Sequence, residues 1–192
     1  MMSDTLTAQL YQLLLDEGLQ PERLPGNPVA GDPALTTAAS NSPSNPASNE
    51  QIHSMRLSIQ GKNAEWVCLV RVFEQTERVL VYSILPSNAS EAQRPDLALM
   101  LTEINYGLIV GNFEMDLDDG EIRYKTSLDV EGIPLNSTVL RNLLYGNFFS
   151  MDLYYHALTQ ALDGHSNLQQ LIYQAEHPDA VTGFDLVDDI VH

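Results

Sequence analysis

A run of four acidic residues is the densest set of side chains in this chain that could do chemistry. The run consists of Asp116, Asp118, Asp119 and Glu121. Clustered carboxylate oxygens are the ligands that Ca²⁺ and Mg²⁺ prefer. However, an EF-hand loop needs glycine at its sixth position, and Gly120 does not fall there when the loop is counted from Glu114 or Asp116. Because Asp-Gly is also a favoured hairpin turn, the sequence predicts a turn at Asp119 and Gly120 and no metal site.

The histidines and the single cysteine lack the spacing of a catalytic or metal-binding centre. The histidines are His53, His156, His165, His177 and His192. No two of them are spaced as ligands of one ion, and Cys68 lies in an apolar run without a second thiolate beside it. The glycine patterns of nucleotide-binding loops and of the nucleophile elbow are also missing. The sequence therefore predicts no enzyme activity and no cofactor, with a hydrolase assembled from distant residues as the open alternative.

The net charge of the chain argues against partners that are bound through basic residues, namely nucleic acids and anionic membranes. The 192 residues include 26 Asp and Glu against 9 Lys and Arg, which gives a formal net charge of -17. Phosphate backbones and anionic lipid surfaces repel such a chain, so we expect no nucleic-acid and no membrane partner. No basic residue precedes Arg23 and no apolar run approaches ~20 residues, which argues against a secretory signal and a membrane span. The expected location is the cytoplasm.

Composition divides the chain into four parts. Residues 1–24 carry a leucine stripe on one helical face, which predicts an N-terminal helix that packs on its own sheet rather than on a partner. Residues 25–50 are rich in Pro, Ser, Asn and Ala, which predicts a flexible linker. Residues 51–164 form the predicted α+β domain, and residues 165–192 form a short helix and an acidic C-terminal tail.

Alternation of apolar and polar residues predicts five strands in the central domain. They span about 53–60, 64–74, 79–85, 113–117 and 122–128. Short turns between consecutive strands indicate antiparallel pairing. Pro95 begins a predicted helix, and Asn136 caps a long helix with an apolar seam, in which Gly146 permits a kink. The sequence predicts an α+β fold with a mainly antiparallel sheet, in the order helix, three strands, helix, two strands, helix.

Three runs in the second half of the domain resemble a known bacterial family. They are Leu101–Gly107 (LTEINYG), Gly111–Tyr124 (GNFEMDLDDGEIRY) and Gly132–Leu135 (GIPL). These runs are similar to the YbjN family of bacterial sensory transduction regulators, and the likeness extends over about residues 51–162. The resemblance implies a fold like that of type III secretion chaperones and a cytoplasmic homodimer that binds proteins. The family pattern contains no catalytic residues, so the resemblance supplies none.

Three basic residues share one predicted face of the sheet. If Met55 and Ile122 face the core, alternation places Arg56, Arg123 and Lys125 on the opposite, exposed face. One interpretation is a small positive area that takes an acidic ligand or peptide. The other is that the three side chains solvate the sheet and pair with neighbouring acids, which is the more ordinary outcome.

The acidic C-terminal stretch is a second candidate for binding. Phe184, Val187 and Ile190 fall on one face of a helix and are flanked by acids. Such a segment either docks into a groove of a partner or folds back onto its own domain. We expect a non-catalytic protein-binding module, chaperone-like or a regulatory adaptor, with a sensory module for a small anionic ligand at the exposed sheet face as the alternative.

Overall fold

The computed structural model describes residues 5–25, 51–133 and 135–178. Its helices are α1 (Leu6–Asp16), α2 (Arg94–Gly107), α3 (Ser137–Leu162) and α4 (Leu168–Glu176). Its strands are β1 (Glu22–Arg23), β2 (Ile52–Gln60), β3 (Glu65–Phe73), β4 (Arg78–Ile84), β5 (Asn112–Met115) and β6 (Ile122–Asp129). Residues 26–50 of the predicted linker and residues 179–192 of the predicted tail lie outside the described residues.

The described strands form one antiparallel sheet in the order β1-β2-β3-β4-β6-β5. Strands β2, β3 and β4 make the predicted meander, and β5 and β6 make the predicted hairpin. The predicted α+β fold class and, apart from β1, the predicted order of elements are confirmed. Strand β1 was not predicted, because two residues that pair at Glu22 and Arg23 are too short to show an alternating pattern.

The connection between β5 and β6 is longer than the sequence indicates. Gly120 has a φ of +83°, and a Cβ there would lie 2.1 Å from the carbonyl oxygen of Ala89, so the turn requires glycine. Strand β5 ends at Met115, and Leu117, predicted to lie in the strand, is in the turn and 66% exposed. The turn predicted at Asp119 and Gly120 is confirmed, while the predicted strand is two residues too long.

The hydrophobic core lies between the sheet and the described helices. The strand residues predicted to face it are buried: Met55, Leu57, Ile59, Ile122, Tyr124 and Thr126. Leu10 and Leu14 of α1 are fully buried in the same core, so the leucine stripe packs on its own domain, as the sequence favours. The carboxylate of Glu74, just after β3, accepts a hydrogen bond from the N–H of Leu6 at 2.7 Å and fixes the start of α1.

Helix α3 is continuous over 26 residues and is tied to the sheet by a buried polar network. Asn136 caps it as predicted, accepting a hydrogen bond from the N–H of Val139 at 3.0 Å. No break occurs at Gly146, and a Cβ there would lie 3.6 Å from Val110 Cγ1, an ordinary van der Waals distance, so the packing does not require glycine at this position. The side chain of Asn147 is fully buried and donates to the carbonyl oxygens of Val81 and Tyr124.

Candidate binding surfaces

The sheet has one face that carries no described helix, here called the helix-free face. Register places Arg56, Leu69, Tyr82 and Lys125 in one row across β2, β3, β4 and β6. Arg123 lies in the next row, opposite Ile84. The predicted placement of Arg56, Arg123 and Lys125 on a common face therefore agrees with the register of the sheet.

The three predicted cations of the helix-free face have carboxylate partners. Glu114 accepts from Arg123 Nε at 2.6 Å and from Lys125 Nζ at 2.5 Å, and Glu121 lies 3.4 Å from Arg123 Nη1. Arg56 faces Glu22 at 3.7 Å in an exposed pair. Burial alone would raise the pKa of the Glu114 carboxyl, but the hydrogen bond from Lys125 and the charge and hydrogen bond of Arg123 outweigh it and hold that pKa below its ordinary value. Arg123 and Lys125 thus belong to one cluster with Glu114 and Glu121, while Arg56 forms a separate pair with Glu22 towards the opposite edge of the sheet.

Tyr82 lies between two guanidinium groups at the centre of this face. Its ring centroid is 4.5 Å from Arg123 Cζ and 5.9 Å from Arg71 Cζ, within the range of cation–π contacts. Leu69 and Tyr82 form a small buried apolar cluster on this face. The partly buried residues packed against it are Leu24, Val67, Leu80 and Ile84. The helix-free face is therefore apolar at its centre and ionic at its β5–β6 side.

Arg71 is a residue of this face that sequence reasoning missed. It is only 8% exposed, and none of the described residues places a hydrogen-bond acceptor on its Nε. Burial lowers the pKa of the Arg71 guanidinium. The charge of Arg123 lowers this pKa further, while the charges of Tyr82 and Glu121 raise it by less than burial lowers it. The available signal was that Arg71 is the lone charged residue in the apolar run from Trp66 to Phe73.

A cavity of ≈580 Å³ opens at one end of the helix-free face. Its polar lining includes Arg56, Glu65 and Glu121, so the charged residues of the lining are one cation and two acids. Val67 and Ile84 supply apolar walls. This mixture fits a peptide-like group with apolar and polar parts better than a small anion.

Helix α3 presents apolar residues to solvent, here called the α3 patch: Tyr145, Phe149 and Leu153. They lie at i, i+4 and i+8 on one side of the helix and are 39%, 72% and 41% exposed. The ring centroids of Tyr145 and Phe149 are 6.1 Å apart. The exposed residues at either end of the same side, Asn142 and His156, are polar. An apolar patch with polar ends is typical of a protein interaction surface.

A groove of ≈500 Å³ adjoins the α3 patch and runs between α3 and α4, here called the α3/α4 groove. Its apolar lining consists of Phe149, Leu153, Ala157, Leu171, Ala175 and Pro178. Lys62, Asn63 and Asp152 lie at its polar side, where the Asp152 carboxylate accepts from the N–H of Asn63 at 2.9 Å. Sequence reasoning followed the buried seam of α3 and so missed this outer side.

The other features considered from the sequence are the C-terminal apolar residues, the single cysteine, possible metal ligands and possible membrane-spanning helices. Phe184, Val187 and Ile190 lie outside the described residues. Cys68 is buried, and burial raises the pKa of its thiol despite its hydrogen bond with Ser83. Within residues 5–25, 51–133 and 135–178, no group of three or more His, Cys, Asp or Glu is placed to hold a metal ion. In the same ranges, no helix is long and apolar enough to cross a membrane.

The fold and these surfaces define an α+β domain with helices on one face of an antiparallel sheet and exposed apolar contact surface. A family model described as "Putative bacterial sensory transduction regulator" matches residues 47–144, just over half of the chain. The chain belongs to this family, YbjN, which confirms the resemblance. No curated protein and no solved structure matches the chain. The matched residues end at Leu144, so the α3 patch follows directly after them.

Proposed function

We propose that this chain is a non-catalytic regulatory module that acts by binding another protein, as an adaptor or a chaperone-like factor. The single observation that carries the proposal is the α3 patch, in which Phe149 is 72% exposed at the centre of a regular helix. A sensory regulator must pass its state to a partner, and an exposed apolar patch is a surface suited to that step.

The composition of the α3 patch fits a protein contact. Burial of a side chain such as Phe149 contributes about 1.5–3 kcal/mol, and aromatic residues are over-represented among those that dominate binding free energy. Tyr145 adds a second ring and a hydroxyl that lies 3.4 Å from Glu17. Because Tyr145 and Phe149 stand on a helix anchored by buried residues, they are held in place before a partner arrives.

The capture of partners from a cell extract tests this function. The full chain should retain one or a few proteins in stoichiometric amounts, and Phe149→Asp should reduce their capture at least about tenfold. Asn142→Asp is the matched control, because it adds the same charge to the same side of α3 outside the α3 patch. Equal capture by the Phe149 variant and the wild type would contradict the proposal.

A homodimer is part of the proposal and rests on the family. Light scattering of the full chain should give twice the mass of one chain. Arg56→Glu, an exposed change on the helix-free face, shows in the capture assay whether that face also contacts the partner. The result expected from sequence is weaker capture.

A second candidate function is binding of a small anionic ligand at the helix-free face. The observation in its favour is Arg71, a buried cation whose Nε has no acceptor among the described residues. Inorganic phosphate and dicarboxylates should then raise the unfolding midpoint in proportion to their concentration. Arg71→Met should abolish the rise, and an unchanged midpoint in the wild type would remove this candidate.

A further inference from the structure

We propose that the segment 179–192 docks its apolar residues Phe184, Val187 and Ile190 into the α3/α4 groove of its own chain. The docked segment would cover Phe149 and Leu153, which belong to the α3 patch. Competition between the segment and a partner protein for these residues rests on the proposed function. The docking itself stands on the groove, the place where the described chain ends, and the sequence of the segment.

The α3/α4 groove offers an apolar site without an occupant among the described residues. Phe149 and Leu153 form one wall, Leu171 and Ala175 form the other, and the space between them is ≈500 Å³. A groove between two helices is the usual receptor for a short amphipathic segment, which inserts side chains at helical spacing.

The described chain ends inside this groove. Pro178, the last described residue, is itself part of the groove lining. Phe184 follows six residues later, and a stretch of that length spans up to ~20 Å. Because the segment is tethered beside the groove, its effective concentration there is on the order of millimolar. A separate molecule of equal affinity would need a similar concentration to displace it.

The sequence of the segment suits this site. Phe184, Val187 and Ile190 follow the spacing of one helical face, while Asp185 and Asp189 fall on the other side. The groove lining includes Lys62 and also Asp152, whose carboxylate accepts hydrogen bonds from the N–H groups of Lys62 and Asn63. A second copy would have to reach the groove from solution, whereas this segment is tethered to Pro178 in the groove lining, which favours the segment of the same chain as occupant.

The test compares the full chain with the triple variant Phe184→Ser, Val187→Ser, Ile190→Ser. If the segment docks, amides of α4 should exchange hydrogen about tenfold faster in the variant, and the methyl NMR signals of Leu153 and Leu171 should move. Val181→Ser is the matched control, because Val181 lies in the same segment but outside the apolar face. It should leave both signals as in the wild type.

Two outcomes would overturn the docking. Unchanged exchange and unchanged methyl signals in the triple variant would show that the groove is not occupied by this segment. Changes that appear at high protein concentration and vanish on dilution would assign the groove to a second copy. Neither measurement contains a partner protein, so failure here is separate from failure of the capture assay.

Discussion

Arg71 is the residue whose environment is least explained by folding alone. It lies on the central strand β3, is 8% exposed, and has an Nε without an acceptor in the described part of the chain. A buried cation that lacks a full set of partners costs free energy of folding, and hydrophobic replacements of similar volume are often neutral or stabilising. This unmatched donor is the observation on which the anionic-ligand candidate rests.

Replacing Arg71 should therefore stabilise the protein. We expect Arg71→Met to raise the free energy of unfolding by about 1–3 kcal/mol in urea denaturation. Arg56→Met is the control, because Arg56 is exposed and its exposed ion pair is worth little, so it should change stability by less than about 0.5 kcal/mol. A loss of stability in the Arg71 variant would show that its guanidinium is already well paired.

Glu114 should make stability depend on pH at the acid side. The pKa of Glu114 is below its ordinary value of 4.5 in the folded state, because the stabilisation of its charge by Lys125 and Arg123 exceeds the cost of burial. A carboxyl with a depressed pKa stabilises the fold fully above the unfolded pKa, and that contribution is lost as pH falls through the folded pKa.

The variant Glu114→Gln should reveal this contribution. At pH 7 it should lower the free energy of unfolding by about 1–3 kcal/mol, since charged hydrogen bonds to Arg123 and Lys125 are lost. The difference from the wild type should shrink as the pH falls from about 4.5 towards 3 in urea denaturation. A difference that stays constant from pH 7 to pH 3 would argue against the charge of Glu114 as its source.

At the scale of elements, Asn147 holds α3 against the sheet. Its Oδ1 accepts from Ser83 at 2.6 Å, and its Nδ2 donates to carbonyl oxygens of β4 and β6. Ser83 in turn accepts from the indole N–H of Trp66 at 2.8 Å. This network fixes how α3 lies on the sheet and so where the α3 patch points.

Removing Asn147 should be costly. Asn147→Ala removes the donor to two buried carbonyl oxygens and the acceptor for the Ser83 hydroxyl, so we expect a loss of about 2–4 kcal/mol, measured by urea denaturation followed through Trp66 fluorescence. Asn142→Ala, exposed on the same helix, should change stability by less than about 0.5 kcal/mol. A small effect at Asn147 would mean that other contacts orient α3.

The elements were predictable where a local pattern determines them. The alternation of apolar and polar residues around Met55 and Ile122 predicted the correct core-facing side of the sheet. A shift by one residue would turn Arg56 and Arg123 into the core, so the pattern allows only one orientation. β1 escaped prediction because it exists only through pairing with a strand distant in sequence. Gly146 was expected to permit a kink, but α3 continues through it without a break, with Leu144 and Phe148 on either side of it buried in the core.

The candidate site was less predictable than the fold. Arg56, Arg123 and Lys125 were placed on the correct face of the sheet. Their carboxylate partners Glu22 and Glu114 lie on neighbouring strands, so the ion pairs become visible only when the strand order is known. The helical spacing of the apolar seam places Phe148 inward and leaves the adjacent Phe149 outside it, but sequence reasoning did not follow that outer side and so missed the α3 patch. Phe148 is buried and Phe149 is exposed.

At the scale of the whole molecule, net charge and apolar surface act together. A charge of -17 favours basic partners at long range, while the α3 patch supplies the short-range contact. Capture of the partner should therefore weaken as salt rises, without disappearing. Capture that grows stronger between 50 mM and 500 mM salt would indicate a contact made by apolar surface alone.

The central claim is that the α3 patch contacts a partner protein, and site-specific photocrosslinking in the native cell tests it most directly. A photoreactive phenylalanine analogue at position 149 should give one or a few discrete protein adducts, and the same group at position 142 should give none. Absence of adducts at position 149, or the same adducts at both positions, would contradict the account.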